Sequence, residues 1–155
     1  MSDIETITVS EEGFACVNQV GDFEFTVDAT DEAGPNPNAA LVATYASCFL
    51  PAFRVGGQQR DHDDLGKIQI DADAELDDED DLASIDFAVH VAAALSDEEF
   101  DEIVARAEDI CHVHAALRAD LEADVEVHGD AFCPAPPLAV RCRDAQEFRQ
   151  RRYQR

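Results

Sequence analysis

The chain has 155 residues, 46% of them hydrophobic, and a formal net charge of −24. This length fits one domain, and the hydrophobic content excludes a disordered acidic chain. The negative charge disfavours a nucleic-acid partner. Lys67 is the only lysine and acid is spread over almost every segment. That distribution favours general salt adaptation over a dedicated acidic docking surface.

The expected lack of targeting signals and the cysteine usage predict a cytoplasmic protein. We find no run of about 18 apolar residues, so we expect no membrane span. The N-terminus contains acidic residues and lacks the positively charged region that begins a secretory signal peptide. An odd number of cysteines without such a signal indicates a reducing compartment and at least one free thiol. The five cysteines are Cys16, Cys48, Cys111, Cys133 and Cys142.

The first thirty residues predict strands. Residues 6–9 and 14–17 flank a Glu-Glu-Gly turn, and residues 23–28 then alternate apolar and polar side chains with a period of two. Residues 31–35 are predicted to form a loop. Asn36 and Pro37 then predict a helix start, with Asn36 as the cap.

The segment from Ala39 to Phe53 is apolar almost all round, which predicts a helix buried inside the protein or between subunits. Pro51 should kink or divide this helix. Gly56 and Gly57 should end it.

Residues 67–76 alternate cleanly and, with a second strand ending near Val91, predict a hairpin around an acidic turn at 77–81. Ser96 to Glu99 reads as a capping box. The helix that it opens should carry one apolar stripe from Phe100 through Cys111 to Leu117. Residues 123–128 are predicted to form a last strand. The order of elements predicts an α+β fold.

The C-terminal segment differs in composition from the rest. We predict a domain over 1–130, followed by a proline linker and an arginine-rich tail over 131–155. Residues 141–155 carry a net charge of +4. We expect the tail to pair with the acidic body or with a second subunit.

Two cysteines lie on the predicted helices, and both should be directed inward. If each cysteine is simply packed in the core, it behaves as a small hydrophobic residue, and burial raises the pKa of its thiol. A reactive pair needs a nearby positive charge or hydrogen-bond donors. It also needs the two Cα atoms within about 4.4–6.8 Å. These observations leave Cys48 and Cys111 open between packing and redox chemistry.

Residues 36–49, Asn-Pro-Asn-Ala-Ala-Leu-Val-Ala-Thr-Tyr-Ala-Ser-Cys-Phe, resemble the first cysteine helix of the OsmC/Ohr family (osmotically inducible protein C / organic hydroperoxide resistance). Residues 107–117 resemble its second cysteine helix, and the strand after them also matches. The resemblance covers roughly residues 5–129 and is closest to the OsmC-like branches.

The resemblance implies a thiol peroxidase that reduces organic hydroperoxides. Cys48 would be the peroxidatic thiolate and would become a sulfenic acid. Cys111 would be the resolving thiol, and a lipoyl or thioredoxin-like dithiol would reduce the disulfide. The family's fold is an intertwined homodimer. No cofactor, metal, nucleic acid or membrane is implied.

In the hydroperoxide-resistance branch an N-terminal Arg and a Glu at the start of the first cysteine helix activate the thiolate. Here Asn38 stands at the Glu position, and no Lys or Arg precedes Arg54. Candidates for the supporting role are therefore Asn38, Arg54, Arg60 and the arginine-rich tail. The family's usual Pro after the second cysteine is His112.

Other functions are weighed against this one. Cys111 and His114 could share a metal ion at helical spacing, but zinc needs three or four ligands. A second hypothesis is a catalytically weak protein of the same fold that binds a hydrophobic ligand at the dimer interface. A third is a purely structural stress protein.

Overall fold

A computed structural model describes residues 2–132. It contains six strands and two long helices, so the predicted α+β class is confirmed. The elements are β1 (Thr6–Val9), β2 (Ala15–Val20), β3 (Phe23–Asp28), α1 (Pro37–Gln58), β4 (Ile68–Leu76), β5 (Leu82–Val91), α2 (Asp97–Ile110) and β6 (Asp124–His128). The chain divides into two compact units, one reaching Tyr45 and the other beginning at Ala46. The predicted C-terminal tail lies outside the described residues.

The first unit contains an antiparallel sheet in the order β1-β2-β3. Two glycines form its turns in the left-handed backbone region, Gly13 at φ +73° and Gly21 at φ +59°, where a residue without Cβ meets no steric cost. Several large apolar side chains of this unit are exposed, and Phe23 is the most exposed of the aromatics at 79%. The others include Ile7, Phe14 and Phe25.

Helix α1 begins as predicted, because the side-chain oxygen of Asn36 accepts a hydrogen bond from the N–H of Ala39 at 2.8 Å. It continues without interruption through Pro51, so the predicted division is wrong, and it ends at Gln58, one residue after the predicted glycine pair. Pro51 lies on the exposed side of the helix.

Burial on α1 is confined to one side of the helix, although apolar residues surround it. Phe49 and Phe53 are fully buried, whereas Ser47, Arg54 and Val55 are exposed. Length and composition alone would let α1 cross a membrane, a test that the core helix of a soluble protein also passes. The ring of Phe49 packs edge-to-face on Phe87 of β5 at 5.6 Å, which fixes the second half of α1 against the sheet.

The second unit is built on a sheet in the order β4-β5-β6. The predicted hairpin is present as the antiparallel pair β4–β5, and β6 lies parallel to β5. Alternate residues of β5 face a core that also receives the apolar stripe of α2. The core members on these two elements are Leu82, Ile85, Phe87, Val89, Val91, Phe100, Ile103 and Ala107.

Helix α2 has the predicted capping box between Ser96 and Glu99. It ends earlier than predicted, because Ile110 is its last residue and Cys111 is its C-cap with extended backbone (φ −69°, ψ 108°). The stripe to Leu117 continues through a short 3₁₀ helix at His114–Ala116 instead. Apolar spacing did not reveal the break, since a 3₁₀ turn also returns side chains to one side at three-residue intervals.

Candidate functional site: a contacting pair of thiols

Helices α1 and α2 approach each other closely at Gly56. A Cβ atom placed on this glycine would lie 2.9 Å from the backbone oxygen of Ile103, closer than real Cβ atoms come to such an atom. The glycine therefore lets the two helix backbones come together where any larger residue would separate them.

Polar contacts beyond the crossing show that the two helices run antiparallel. Arg60, just after α1, forms an ion pair with Glu102, near the start of α2. One turn further along α2, the Nε of Arg106 donates to the Oε1 of Gln59 at 2.6 Å.

The antiparallel crossing places the two cysteines on the same side of the crossing point, at a similar distance along the two helices. Cys48 lies eight residues before Gly56 on α1, and Cys111 lies eight residues after Ile103 at the end of α2. At about 1.5 Å of rise per residue, each cysteine is displaced roughly 12 Å from the crossing in the same direction. The pair is therefore a consequence of the helix crossing.

The two side chains are free thiols that lie near each other. Each one influences the pKa of the other. Cys111 is 1% exposed, whereas Cys48 is half-buried, so Cys48 is the sulfur that a small molecule reaches more easily.

The turn after α2 points peptide N–H groups at both sulfurs. The N–H groups of His112 and Val113 donate to Cys48. The N–H of His114 donates to the Sγ of Cys111 at 3.4 Å. This arrangement exists because the helix ends at Cys111, which frees the next three N–H groups from helical hydrogen bonding.

These contacts separate the pKa values of the two thiols. Burial raises the pKa of Cys48, but the N–H of Val113, the thiol of Cys111 and the N–H of His112 outweigh it, and the net shift is downward. Burial also raises the pKa of Cys111, and the hydrogen bond and charge of Cys48 raise it further against the opposing N–H groups. Cys48 therefore ionises first, and the nucleophilic form of a cysteine is its thiolate.

The predicted supporting residues are placed as follows. Asn38 lies in the first turn of α1, ten residues before Cys48, and Arg54 is exposed on α1. Arg60 is engaged with Glu102. Within residues 2–132, no charged side chain is among the causes that lower the pKa of Cys48. A role for these three residues stays a prediction.

Peptide donors are the part of the site that the sequence analysis missed. They belong to residues 112–114, which the apolar stripe had assigned to a helix, and every residue except proline carries the same N–H group. The nearest signal was His112 itself, which provides an N–H where the resembling family usually has proline.

Within residues 2–132, the remaining cysteine and the histidines form no candidate metal site. Cys16 is half-buried on β2, and Cys133 and Cys142 lie outside the described residues. The His114 ring lies 3.8 Å from the carboxylate of Glu122. In the described part of the chain, no three His, Cys, Asp or Glu side chains are grouped to hold a metal ion.

The fold is α+β, and its second unit holds two neighbouring free thiols, Cys48 and Cys111. The sequence profile of the OsmC-like protein family matches residues 29–126, so this chain belongs to the OsmC-like family.

Similar proteins agree with this assignment. An uncharacterized protein of Haloferax volcanii is 73% identical over 132 residues, which is 85% of this chain and 100% of that protein. The fold is similar to an OsmC-like protein from Mycoplasma pneumoniae, with TM-score 0.73, 19% identity and coverage of 83% and 97% of the two chains. It is also similar to the organic hydroperoxide resistance protein OhrB of Bacillus subtilis, with TM-score 0.63, 19% identity and coverage of 82% and 98%. The Haloferax relative is consistent with a salt-adapted sequence.

Proposed function

We propose that this protein is a thiol peroxidase that reduces organic hydroperoxides through Cys48 and Cys111. The observation that carries the proposal is the pairing of a half-buried thiol with lowered pKa and a neighbouring buried thiol with raised pKa. Such a pair combines one thiol that ionises easily and can act as a nucleophile with a second thiol that stays protonated. The Bacillus subtilis protein of the same fold, named for organic hydroperoxide resistance, supports the choice of substrate.

The first step oxidises Cys48. Its thiolate attacks the terminal oxygen of the hydroperoxide, an S–O bond forms, the O–O bond breaks, and the alkoxide leaves and takes a proton from water. Cys48 becomes a sulfenic acid, having lost two electrons to the peroxide.

The second step closes a disulfide. The sulfur of Cys111, after losing its proton, attacks the Cys48 sulfur, the S–S bond forms, and hydroxide leaves and becomes water. An external dithiol, lipoyl or thioredoxin-like, then returns two electrons by thiol–disulfide exchange. This cycle fits a reducing cytoplasm, where we propose that the protein acts.

A second copy of the chain is part of the proposal. The strands of the first unit expose Ile7, Phe14, Phe23 and Phe25, and α1 exposes Leu41 and Val55. Large apolar side chains at this exposure are typical of surfaces that another protein covers. We propose that a homodimer covers them.

Thiol counting tests the peroxidase. Reduced protein in molar salt is mixed with one equivalent of an alkyl hydroperoxide, and free thiols are titrated. We expect the loss of two thiols per chain. Cys48→Ser should abolish this loss. With two equivalents of hydroperoxide, Cys111→Ser should let Cys48 proceed to sulfinic acid, detected as a mass increase of two oxygen atoms.

Cys16→Ser is the matched control, because it removes a thiol from the other unit and should leave the two-thiol response intact. If the Cys48→Ser and Cys111→Ser variants both consumed peroxide like the parent, the peroxidase assignment would be wrong. The alternative of a non-catalytic protein that binds a hydrophobic ligand would then be preferred.

A further inference from the structure

We propose that the arginine-rich segment 141–155 docks on the outer face of the second sheet of its own chain. The outer face is the side of β4, β5 and β6 that is turned away from the buried core residues of β5. This inference is independent of the proposed function, because it requires no chemistry at either cysteine of the pair.

The strand register places six carboxylates on the outer face. Opposite residues on neighbouring strands lie on the same face of a sheet, and so do alternate residues of one strand. Since Phe87 and Val89 are buried in the core, Asp86 and Ala88 face outwards. Their opposite and alternate neighbours complete the set of acids, which consists of Asp71, Asp73, Glu75, Asp86, Asp124 and Glu126.

The basic side chains of this face lie at one end of it, whereas its centre is acidic. His90 and His128 stack with 5.0 Å between ring centroids, and Lys67 immediately precedes β4. Asp86 and Asp124 lie opposite each other, four residues from those histidines along their strands, and both are exposed. Between residues 2 and 132 neither aspartate has an ion-pair partner. The centre of the face is therefore complementary to a cationic segment, and such complementarity determines which surfaces meet.

The segment 141–155 is the strongest concentration of positive charge in the chain. It contains six of the eleven basic residues and has a net charge of +4. Among the described cations, Arg60, Arg106 and Arg118 already lie beside carboxylates near them in the fold. A guanidinium binds a carboxylate through two parallel hydrogen bonds, which suits arginine to a row of aspartates. Such direct pairs are also screened less by molar salt than charges that lie farther apart.

The described chain ends beside this face. The N–H of Ala131 donates to the backbone oxygen of Val91 at 2.9 Å, where β5 ends. The ring centroid of Phe132 lies 4.1 Å from the Nζ of Lys67, where β4 begins. These two contacts hold the last described residues at the basic end of the sheet.

The length of chain beyond Phe132 is sufficient to reach the aspartates. Asp86 precedes Val91 by five residues, which is about 17 Å along a strand. Arg141 follows Phe132 by nine residues, and such a segment can span up to about 30 Å. The face is therefore within reach of the tail of the same chain.

A tail on the outer face lies across the sheet from Cys48. Phe49, the neighbour of Cys48 on α1, packs on Phe87 of the inner face with 5.6 Å between ring centroids. The arginines of a docked tail are therefore not the cations that support the thiol of their own chain.

The test is the rate at which trypsin cleaves the tail of the full-length protein in molar salt, followed by mass spectrometry. Trypsin cleaves after arginine, so an arginine bound to the sheet is protected until it dissociates. Asp86→Asn combined with Asp124→Asn should speed this cleavage by roughly twofold to twentyfold, the range that two exposed ion pairs contribute. Thermal unfolding of each variant shows that the fold is retained.

Asp78→Asn combined with Glu79→Gln is the matched control, because it removes the same charge from the acidic turn between β4 and β5. This variant should be cleaved at the rate of the parent. Equal acceleration in both variants, or no acceleration in the outer-face variant, would overturn the proposal.

A disulfide trap identifies whose tail occupies the face. Ala88→Cys places a thiol beside Asp86 on the outer face, and Cys142 belongs to the tail. Under mild oxidation the two should form a disulfide within one chain, seen as a monomer on a non-reducing gel and as a linked peptide. Ala29→Cys, which is exposed in the first unit, is the control and should trap Cys142 less. A linked dimer would assign the face to the tail of a second copy; that result, equal trapping at both positions or no link at all would refute docking within the chain.

Discussion

At the scale of single residues, backbone donors carry much of the site. His112 donates its peptide N–H to the Cys48 sulfur, and its side chain is exposed. The contribution of this residue is therefore independent of its imidazole, and any residue except proline would make it.

His112→Pro should raise the pKa of Cys48, because it removes one donor to the thiolate. Cys111 has extended backbone (φ −69°, ψ 108°), close to the conformation that a residue before proline adopts, so the substitution is sterically compatible there. The alkylation profile of Cys48 should move to higher pH. His112→Ala retains the N–H and should leave the profile where it is; a shift in the alanine variant would instead point to the imidazole.

Asp28 is the one charged residue that is buried in the described chain. Its carboxylate accepts hydrogen bonds from the N–H of Thr30 at 2.9 Å and from that of Ala33 at 3.0 Å. These bonds lower the pKa of Asp28 and hold the loop that leads to Asn36, the cap of α1.

Asp28→Asn should lower the melting temperature, because an amide offers one acceptor where the loop needs two. Since the folded pKa of Asp28 lies below the unfolded value, its contribution to stability is complete above the unfolded pKa and is lost as pH falls through the folded one. The difference in melting temperature between parent and variant should therefore shrink in acid. A constant difference at every pH would contradict this account.

At the scale of elements, the crossing of α1 and α2 places the cysteines together. Gly56 lies at this crossing, close to a backbone oxygen of α2. The neighbouring Gly57 would direct a Cβ towards the side chain of Leu65 at 2.8 Å, and a side chain can move aside.

Gly56→Ala should slow formation of the Cys48–Cys111 disulfide, since the helices must separate by a few tenths of an ångström. Helix propensity alone would stabilise the variant by about 1 kcal/mol, so a loss of stability would identify the steric effect. Chemical denaturation and the rate of disulfide formation measure the two quantities. Gly57→Ala is the matched control and should affect the disulfide less; equal rates in both variants would refute the crossing as the determinant.

At the scale of the whole molecule, the charge of −24 is the dominant feature. Part of it is concentrated on the outer face of the second sheet. Asp73 of β4 lies opposite Asp86 of β5, which lies opposite Asp124 of β6. Neighbouring strands are about 4.8 Å apart, so three like charges form a row, and like charges opposite each other are destabilising.

Dilution of salt below about 1 M should therefore destabilise the protein, because weaker screening lets like charges repel each other over longer distances. Asp86→Asn removes the central charge of the row and should reduce the salt needed for a given melting temperature. Asp22→Asn removes the same charge from the β2–β3 turn and is the control. Stability that does not change on dilution would count against salt adaptation.

Strand alternation, the Asn36 cap and the Ser96 capping box predicted most elements, because they depend on neighbours within a few residues. The end of α2 at Cys111 and the continuity of α1 through Pro51 were not predictable in this way. Both depend on how a segment packs, and packing overrides local propensity.

The sequence by itself determined the α+β class, the family and the two candidate cysteines, since periodicity, caps and motif residues are properties of the chain order. Only the tertiary structure decided that Cys48 and Cys111 are neighbours and that Cys48 has the lower pKa. A helix crossing at Gly56 and a turn of peptide N–H groups produce those two facts. They are spatial relations between residues more than sixty positions apart, and composition does not encode such relations.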